Sequence, residues 1–152
     1  MRGRKPKPTH GTLQFEIVTP AKSMLSQPAE LVIIPGAAGN FGVMPGHAPL
    51  LSILRPGTIE IRDRSLKILE QIFVEGGFAE VTPERCTILA EEALPVWEIT
   101  RDEAEDRLSR ALDALMVADS PGVRLSAEQD VQAAEAMCQA IDACEKMLSR
   151  TR

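Results

Sequence analysis

The sequence is poor in aromatic residues: five of its 152 residues are aromatic, and none of them is tyrosine. Proteins that bind single-stranded nucleic acid stack bases on aromatic side chains, and nucleic-acid binders in general present a basic surface. This chain instead has a formal net charge of −5 and a pI of about 5.1. We therefore expect no nucleic-acid partner.

Long apolar runs are also missing. No stretch reaches the ~18–20 apolar residues that a helix needs to cross a bilayer, so direct membrane insertion is not expected. The opening residues, MRGRKPKPTHG, carry four basic side chains and no acidic one. No apolar segment follows them, as one would in a secretory signal. We predict that residues 1–11 form a disordered basic tail.

Groups suited to catalysis or metal binding are few. The three cysteines, Cys86, Cys138 and Cys144, have no CxxC spacing, which favours reduced, mostly buried thiols over a disulfide framework or a zinc site. His47 lies in a proline-rich loop, and the nearest serine, Ser52, shows no nucleophile motif. A small hydrolase that uses His47 or Cys86 is therefore the least supported hypothesis, and no catalytic, cofactor or metal site is predicted.

Residues 36–42 are rich in glycine, a composition that can signal phosphate binding. They lack the Lys-Ser/Thr pair of a phosphate loop, and no helical pattern follows them. We expect tight turns there, continued by an irregular loop through Pro45 and Pro49.

Proline and glycine nearly vanish after Trp97. Residues 98–152 contain one of each, adjacent at Pro121-Gly122, which predicts two helices joined by a turn at that dipeptide. Thr100 with Glu103 has the spacing of a capping box at the start of the first helix, and Ser126 with Gln129 has it at the start of the second.

Apolar residues recur at helical spacing in both segments and predict one apolar stripe on each helix. The stripes are Ala104, Leu108, Ala111, Leu112 and Leu115 on the first helix, and Val131, Ala134, Cys138, Ile141 and Leu148 on the second.

Residues 12–97 show a period of two between turn signals. Leu13, Phe15 and Ile17 alternate with Gln14, Glu16 and Val18, and the continuous apolar run at 31–34 is typical of a strand buried on both faces. Further short runs occupy 58–62, 71–74 with Ile68 before it, 78–82 and 86–90. The predicted fold is an all-β sandwich followed by a two-helix antiparallel hairpin.

Two helices in isolation enclose no core, so the hairpin must dock on the β region or on another protein. An element with two docking surfaces can act as a switch. The residues alone thus indicate a non-enzymatic interaction protein with a mobile helical arm.

Two segments carry a resemblance to a known family: IIPGAAGNFGVMPGHAPLLSILRPGTIEI and FVEGGFAEVTPERCTILAEEA. With the PGHAPL core at Pro45–Leu50, the turn at Arg55-Pro56-Gly57 and the GGFAEV strand at Gly76–Val81 in this order, residues 12–97 resemble the epsilon subunit of bacterial F-type ATP synthase. The hairpin is similar in architecture and position, and less so in sequence.

The resemblance implies a ten-stranded sandwich over residues 12–97 that binds the gamma subunit and rests on the c-ring. It implies a non-catalytic rotor subunit of the central stalk that couples c-ring rotation, driven by proton flow, to the catalytic head. The subunit would lie peripherally at the cytoplasmic face of the bacterial inner membrane. The family's c-ring contact falls in the loop 38–47, and its candidate residues here are Gly39, Asn40, Phe41, Gly42 and His47.

The resemblance also implies that residues 98–152 form a regulatory hairpin, which folds beside the sandwich or extends toward the alpha and beta subunits and then blocks ATP hydrolysis. Its implied regulatory residues are Leu108, Leu112, Leu115, Val131, Cys138, Ile141 and Leu148. Strongly inhibiting members carry basic residues on the second helix, whereas residues 128–145 here hold five acidic residues and no basic one. We therefore expect the second helix to inhibit ATP hydrolysis only weakly through electrostatic contacts.

Two other functions remain open. One is a nucleotide-sensing regulator, because some family members bind ATP on the folded hairpin; the other is a generic adaptor with a sandwich and a helical arm. The ATP signature is Ile or Leu, Asp, two free positions, Arg and Ala, but this chain has Thr100 at the Asp position and Glu103 at the Arg position. A carboxylate there repels phosphate, so no sub-millimolar ATP binding is expected.

Overall fold

The computed structural model describes residues 11–21 and 23–152, so all of the predicted tail except residue 11 lies outside the described residues. The elements after the last strand are a short 3-10 helix, Val96–Glu98, and two long helices, α1 (Arg101–Met116) and α2 (Pro121–Arg150). The ten strands before them are β1 (Leu13–Val18), β2 (Ser23–Ala29), β3 (Leu31–Gly36), β4 (Gly39–Val43), β5 (Leu50–Leu54), β6 (Gly57–Arg62), β7 (Ile68–Val74), β8 (Gly77–Val81), β9 (Arg85–Leu89) and β10 (Ala93–Pro95). The predicted fold class, an all-β sandwich followed by a helical hairpin, is confirmed.

The chain divides into two compact units between Ala93 and Leu94. The sequence pattern placed this boundary after Trp97, where proline and glycine stop. The intervening residues 94–97 hold the end of β10 and the start of the 3-10 helix. We call the two parts the β unit and the helical unit.

Within the β unit the strands follow the order β7-β6-β3-β5-β8-β9-β1-β2, and β4 pairs with β3. β1 pairs in parallel with β9 and antiparallel with β2. The other described pairings of these strands are antiparallel. Inward-facing aliphatic and aromatic side chains form one core that includes Phe15, Ile34, Ile59, Val74 and Ile88.

The strand β1 departs from the predicted alternation of buried and exposed side chains. Gln14 and Glu16 are buried as well as the apolar residues between them, with 3 % and 9 % exposure. Neighbouring strands supply polar partners: Gln14 Nε2 donates to Ser26 Oγ at 2.9 Å, and Arg85 Nη1 donates to Glu16 Oε2 at 3.5 Å. The run at 31–34 also differs from expectation, because Leu31 and Ile33 are only half-buried.

The prediction of tight turns over residues 36–42 was largely wrong. The turn is confined to Ala37-Ala38, and β4 occupies the rest. As a strand that pairs only with β3 among the described strands, β4 tolerates the glycines that normally weaken a strand interior.

The second helix begins at Pro121, six residues earlier than the predicted start after Ser126. Ser120 is the N-cap, and its hydroxyl accepts a hydrogen bond from Val123 N at 3.4 Å. Proline is well suited to the first helical position because the N–H it lacks would have no partner there. Pro121-Gly122 therefore opens α2 instead of forming the turn.

Alanine predominates among the buried residues of α1 and α2. The buried residues of the two helices are Ala104, Ala111, Ala127, Ala133, Ala134, Met137, Ala140 and Ile141. Small side chains let two helices approach closely. Among the described residues, neither helix is long and apolar enough to cross a membrane.

Candidate functional site

The hairpin between β3 and β4 presents an exposed tip at residues 37–40. Gly36 and Gly39 pair across the turn, and Gly39 has φ 139°, which favours glycine. A Cβ at Gly36 would lie 2.8 Å from Gly39 O, so no larger residue fits at that position. We call residues 37–40 the hairpin tip; its Asn40 side chain accepts a hydrogen bond from Arg55.

The structure does not bring all five candidate contact residues together. Gly39 and Asn40 lie at the tip, Phe41 packs partly against the core, and Gly42 is exposed on β4. His47 lies four residues beyond the opposite end of β4, a strand that is about 13 Å long by its rise per residue. There Gly46 N donates to Pro83 O at 2.8 Å, which ties the loop to the β8–β9 turn.

An exposed apolar surface, which the sequence-based predictions do not include, lies on strands β5, β8 and β9. Ile53 pairs with Phe78, and Phe78 pairs with Leu89, so the three side chains form a row across the sheet. Leu51 lies on the same face, two residues before Ile53. We call these four residues the outer apolar row; their exposures are 71 % for Leu51, 62 % for Ile53, 50 % for Phe78 and 46 % for Leu89. A contiguous apolar patch of this kind marks a contact surface for a partner.

A shallow cleft of about 340 Å³ continues the row, bordered by Phe78, Leu89 and Pro20. Gly77 makes this close packing possible: it has φ 119°, and a Cβ there would lie 2.0 Å from Leu89 O. Glu91 also lines the cleft, and none of the described residues that line it is basic. The surface is therefore apolar with an acidic border.

The residues considered for catalysis do not form a reactive site. Cys86 is buried, and desolvation raises the pKa of its thiol to about 12. Because the thiolate is the nucleophile, Cys86 is unreactive at neutral pH. The His47 ring donates from Nδ1 to the backbone oxygen of Ala48 at 2.7 Å. Among the described residues, no group of three or more His, Cys, Asp or Glu side chains is arranged to hold a metal ion.

Cysteine burial is less complete than expected, since Cys138 and Cys144 are half-buried on α2.

The start of α1 confirms the predicted capping box. Glu103 N donates to Thr100 Oγ1 at 3.2 Å, and the Glu103 carboxylate accepts from Thr100 N at 2.9 Å. Hydrogen bonds from the Thr100 backbone and side chain hold the pKa of Glu103 below its ordinary value. Both residues at altered positions of the ATP signature are thus engaged in capping the helix.

The helical unit also holds a cavity of about 280 Å³ beside this cap. Its polar lining combines carboxylates and guanidiniums: Glu98, Glu103, Arg107 and Arg110. Arg107 and Arg110 lie one and two helical turns after the ATP-signature positions. The carboxylates of Glu98 and Glu103 offset their positive charge.

A single arginine joins the start of α1 to the end of α2. Arg101 Nη2 donates to Asp142 Oδ1 and to Glu145 Oε2, at 2.7 Å each. Hydrogen bonds with Asp142 and then Glu145 raise the pKa of Arg101. Two of the five acidic residues in 128–145 are therefore paired within the hairpin.

The predicted regulatory residues occupy different depths. Ile141 is buried; Leu108, Leu115, Val131 and Cys138 are half-buried; Leu112 and Leu148 are exposed. The end of the hairpin at the α1–α2 turn carries four exposed apolar side chains, which we call the helical tip. It comprises Met116, Val117, Val123 and Leu125, which are 84 %, 79 %, 52 % and 57 % exposed.

Comparison with protein families places residues 12–96 in the family described as "ATP synthase, Delta/Epsilon chain, beta-sandwich domain". The chain is 46 % identical over 129 residues to the ATP synthase epsilon chain of Paramagnetospirillum magneticum, covering 85 % of this chain and 96 % of that one. It is 44 % identical over 126 residues to the epsilon chain of Rhodospirillum rubrum, covering 83 % and 93 %.

Solved structures show the same fold. A chain in the cryo-EM structure of the Euglena gracilis mitochondrial ATP synthase OSCP/F1/c-ring matches with a TM-score of 0.75 and 24 % identity, covering 93 % of this chain and 86 % of that one. A chain in the Tetrahymena thermophila mitochondrial ATP synthase central stalk/c-ring structure matches with a TM-score of 0.66 and 15 % identity, covering 90 % and 99 %.

Proposed function

The chain belongs to the ATP synthase epsilon-chain family, and on that premise we propose that it is the non-catalytic rotor subunit of a proton-translocating F-type ATP synthase. In this role it binds the gamma subunit in the central stalk, rests on the c-ring and couples c-ring rotation to the catalytic head. Its place is peripheral, at the cytoplasmic face of the bacterial inner membrane.

The observation that carries this proposal is the outer apolar row. Four large apolar side chains, each about half exposed or more, lie together on strands whose other faces build the core. Burial of such side chains against a partner is favourable by ~25 cal/mol per Å² of apolar surface. Glu80 is exposed on β8, on the same face as Phe78 and two residues after it. We assign this row to the gamma subunit, whose matching surface would be apolar with basic residues facing Glu80 and Glu91.

The c-ring contact in this proposal is the hairpin tip. Residues 37–40 project from the β unit without large apolar side chains, which suits a polar loop-to-loop contact. His47 lies at the other end of β4 and would belong to a separate part of the interface.

The regulatory role in this proposal belongs to the helical unit. Its exposed helical tip offers an apolar surface for the alpha and beta subunits when the helices extend. The pairing of Asp142 and Glu145 with Arg101 supports the closed hairpin, and the acidic α2 disfavours contact with an acidic partner segment.

Purified gamma subunit tests the proposal by size-exclusion chromatography and calorimetry. The wild-type protein is expected to form a stoichiometric complex, and Phe78→Asp and Ile53→Asp to weaken it by about tenfold or more, as at interface hot spots. Leu69→Asp, at an exposed leucine on β7 away from the row, is the matched control. Equal binding by all variants would reject the row as the gamma surface, and failure of the wild type to bind would reject the rotor function.

The two alternatives receive less support. A nucleotide sensor needs an Arg where Glu103 caps α1, and saturable ATP binding below millimolar concentration would contradict our interpretation. A generic adaptor is distinguished by the gamma experiment, since only a stalk subunit is expected to bind gamma stoichiometrically.

A further inference from the structure

The guanidinium of Arg55 joins the two sides of the β3–β4 turn. Nη1 donates to Gly36 O at 2.6 Å, and Nη2 donates to Asn40 Oδ1 at 2.5 Å. Gly36 ends β3 and Asn40 is the second residue of β4, so the two acceptors flank Ala37-Ala38. A planar guanidinium fork can bridge two acceptors in this way, whereas a single ammonium group holds no such fixed geometry.

The backbone around Arg55 is also fixed to the end of β3. Arg55 N donates to Pro35 O at 3.0 Å, and Ala37 N donates to Ile53 O at 2.9 Å. A Cβ at Gly57 would lie 2.9 Å from Pro35 Cβ, which shows how closely the β5–β6 connection packs against β3. The backbone of Arg55 is therefore held in place, and its side chain contacts the β3–β4 hairpin.

The charge of Arg55 has no carboxylate partner among the described residues. Both of its side-chain hydrogen bonds go to neutral oxygens, whereas Arg62 pairs with Glu60 and Arg101 with Asp142. A charged donor makes a stronger hydrogen bond than a neutral one. The half-buried guanidinium thus stabilises the conformation of the hairpin tip and makes no ion pair within the described part of the chain.

We propose that Arg55 is a positioning residue that holds the hairpin tip, and Asn40 in particular, in the conformation that meets the c-ring. The inference rests on the proposed function, because it takes the tip as the c-ring contact. An exposed four-residue tip without this bridge would sample several conformations. Ordering them on binding lowers affinity, so a tip ordered in advance binds more tightly.

The first test measures the order of the free protein by ¹⁵N relaxation at Gly39 and Asn40. The wild-type amides are expected to have order parameters near ~0.85, and those of Arg55→Ala to fall below ~0.6. Arg55→Lys keeps the charge without the fork and should lie between them. Arg62→Ala, which removes another half-buried arginine from the β unit, is the matched control and should leave the tip unchanged.

The second test measures binding to purified c-ring in detergent and, separately, to purified gamma subunit. Arg55→Ala is expected to weaken c-ring binding by about tenfold while gamma binding and the melting temperature stay as in wild type. Asn40→Ala removes one of the two bridged acceptors, so the effects of Arg55→Ala and Asn40→Ala should be non-additive in the double variant.

The outcomes separate this inference from the proposed function. Unchanged order at the tip in Arg55→Ala would overturn the inference, even if c-ring binding weakened, because Arg55 would then contact the c-ring directly. Loss of order with unchanged c-ring binding would overturn both the inference and the tip's assignment to the c-ring. Wild-type protein that binds neither gamma nor c-ring would reject the proposed function, and the absence of a c-ring contact would overturn the inference with it.

Discussion

The β unit and the helical unit are stabilised by side chains of different size. The β unit buries Phe15, Ile17, Ile34 and their neighbours completely, whereas the buried residues of α1 and α2 are alanines, with only Met137 and Ile141 as large members. Full burial of a large apolar side chain contributes ~1.5–3 kcal/mol, and an alanine contributes much less. The β unit can therefore hold its fold by its own core. The stability of the hairpin depends more on helix caps, on ion pairs and on the surface against which it docks.

This difference suits a protein with a fixed body and a movable arm. A large core makes the strands that carry the outer apolar row and the hairpin tip rigid. A helix pair that buries mainly alanines, with Arg101 bridging its two helices, is easier to reorganise. The following predictions test that contrast, beginning with the largest effect.

Truncation of a core side chain should damage the β unit most. Phe15→Ala is expected to lower the free energy of unfolding by about 3–5 kcal/mol, because Phe15 is fully buried and a cavity remains. Leu112→Ala on α1, where the leucine is 43 % exposed, is the control and should cost less than about 1 kcal/mol. Urea unfolding measures both, and equal losses would show that the β unit is not held by its buried core.

Enlargement of a side chain should damage the helical unit instead. Ala134→Leu introduces three carbons into a fully buried alanine position and is expected to cost about 1–3 kcal/mol. Ala143→Leu, on the exposed face of α2, should be nearly neutral. Thermal melting followed at a helix-sensitive wavelength compares them, and a stable Ala134→Leu variant would mean that the helices do not pack through alanine.

Removal of most of α2 should relieve inhibition only modestly. Deletion of residues 123–152 is expected to raise the ATPase rate of the assembled head by less than about tenfold, which corresponds to ~1.4 kcal/mol. The reason is the acidic α2, which gives a weak electrostatic latch. A larger rise would show that the apolar helical tip binds the head and inhibits hydrolysis in spite of the acidic charge of α2.

Loss of the α1 cap should have the smallest effect. Thr100→Ala is expected to cost about 1 kcal/mol of helix stability, while Ser109→Ala, in mid-helix, should be neutral. The pKa of Glu103 is lower in the folded state than its ordinary value of 4.5, so the cap stabilises α1 above that pH and is lost as the pH falls through the folded pKa. An acid titration of helix content should show this loss in wild type and less of it in Thr100→Ala.

The sequence predicted the elements whose local pattern agrees with their surroundings. The alternation at 58–62 and 78–82 became β6 and β8, and Thr100 with Glu103 formed the capping box at α1. It failed where tertiary structure decides: β4 is a strand despite its two glycines, because it pairs along β3, and Ser120 rather than Ser126 caps α2.

The functional surfaces were less predictable than the fold. Asn40 was a candidate because of the family resemblance, but its bridge to Arg55 depends on strand register between residues 15 apart. The outer apolar row depends on pairings between three strands, and β5 was not predicted as a strand at all. The residue pattern within one segment does not show which strands lie beside it in the sheet.

The central claim is that the β unit alone forms the gamma-binding body and the helical unit is a separable arm. It is tested most directly by calorimetric titration of gamma with residues 12–97, which hold the β unit and the four residues that follow it, and with the full chain. The account predicts a cooperatively folded fragment whose Kd for gamma lies within about threefold of that of the full chain. A fragment that folds but binds gamma more than about tenfold more weakly, a loss of ~1.4 kcal/mol, would contradict it.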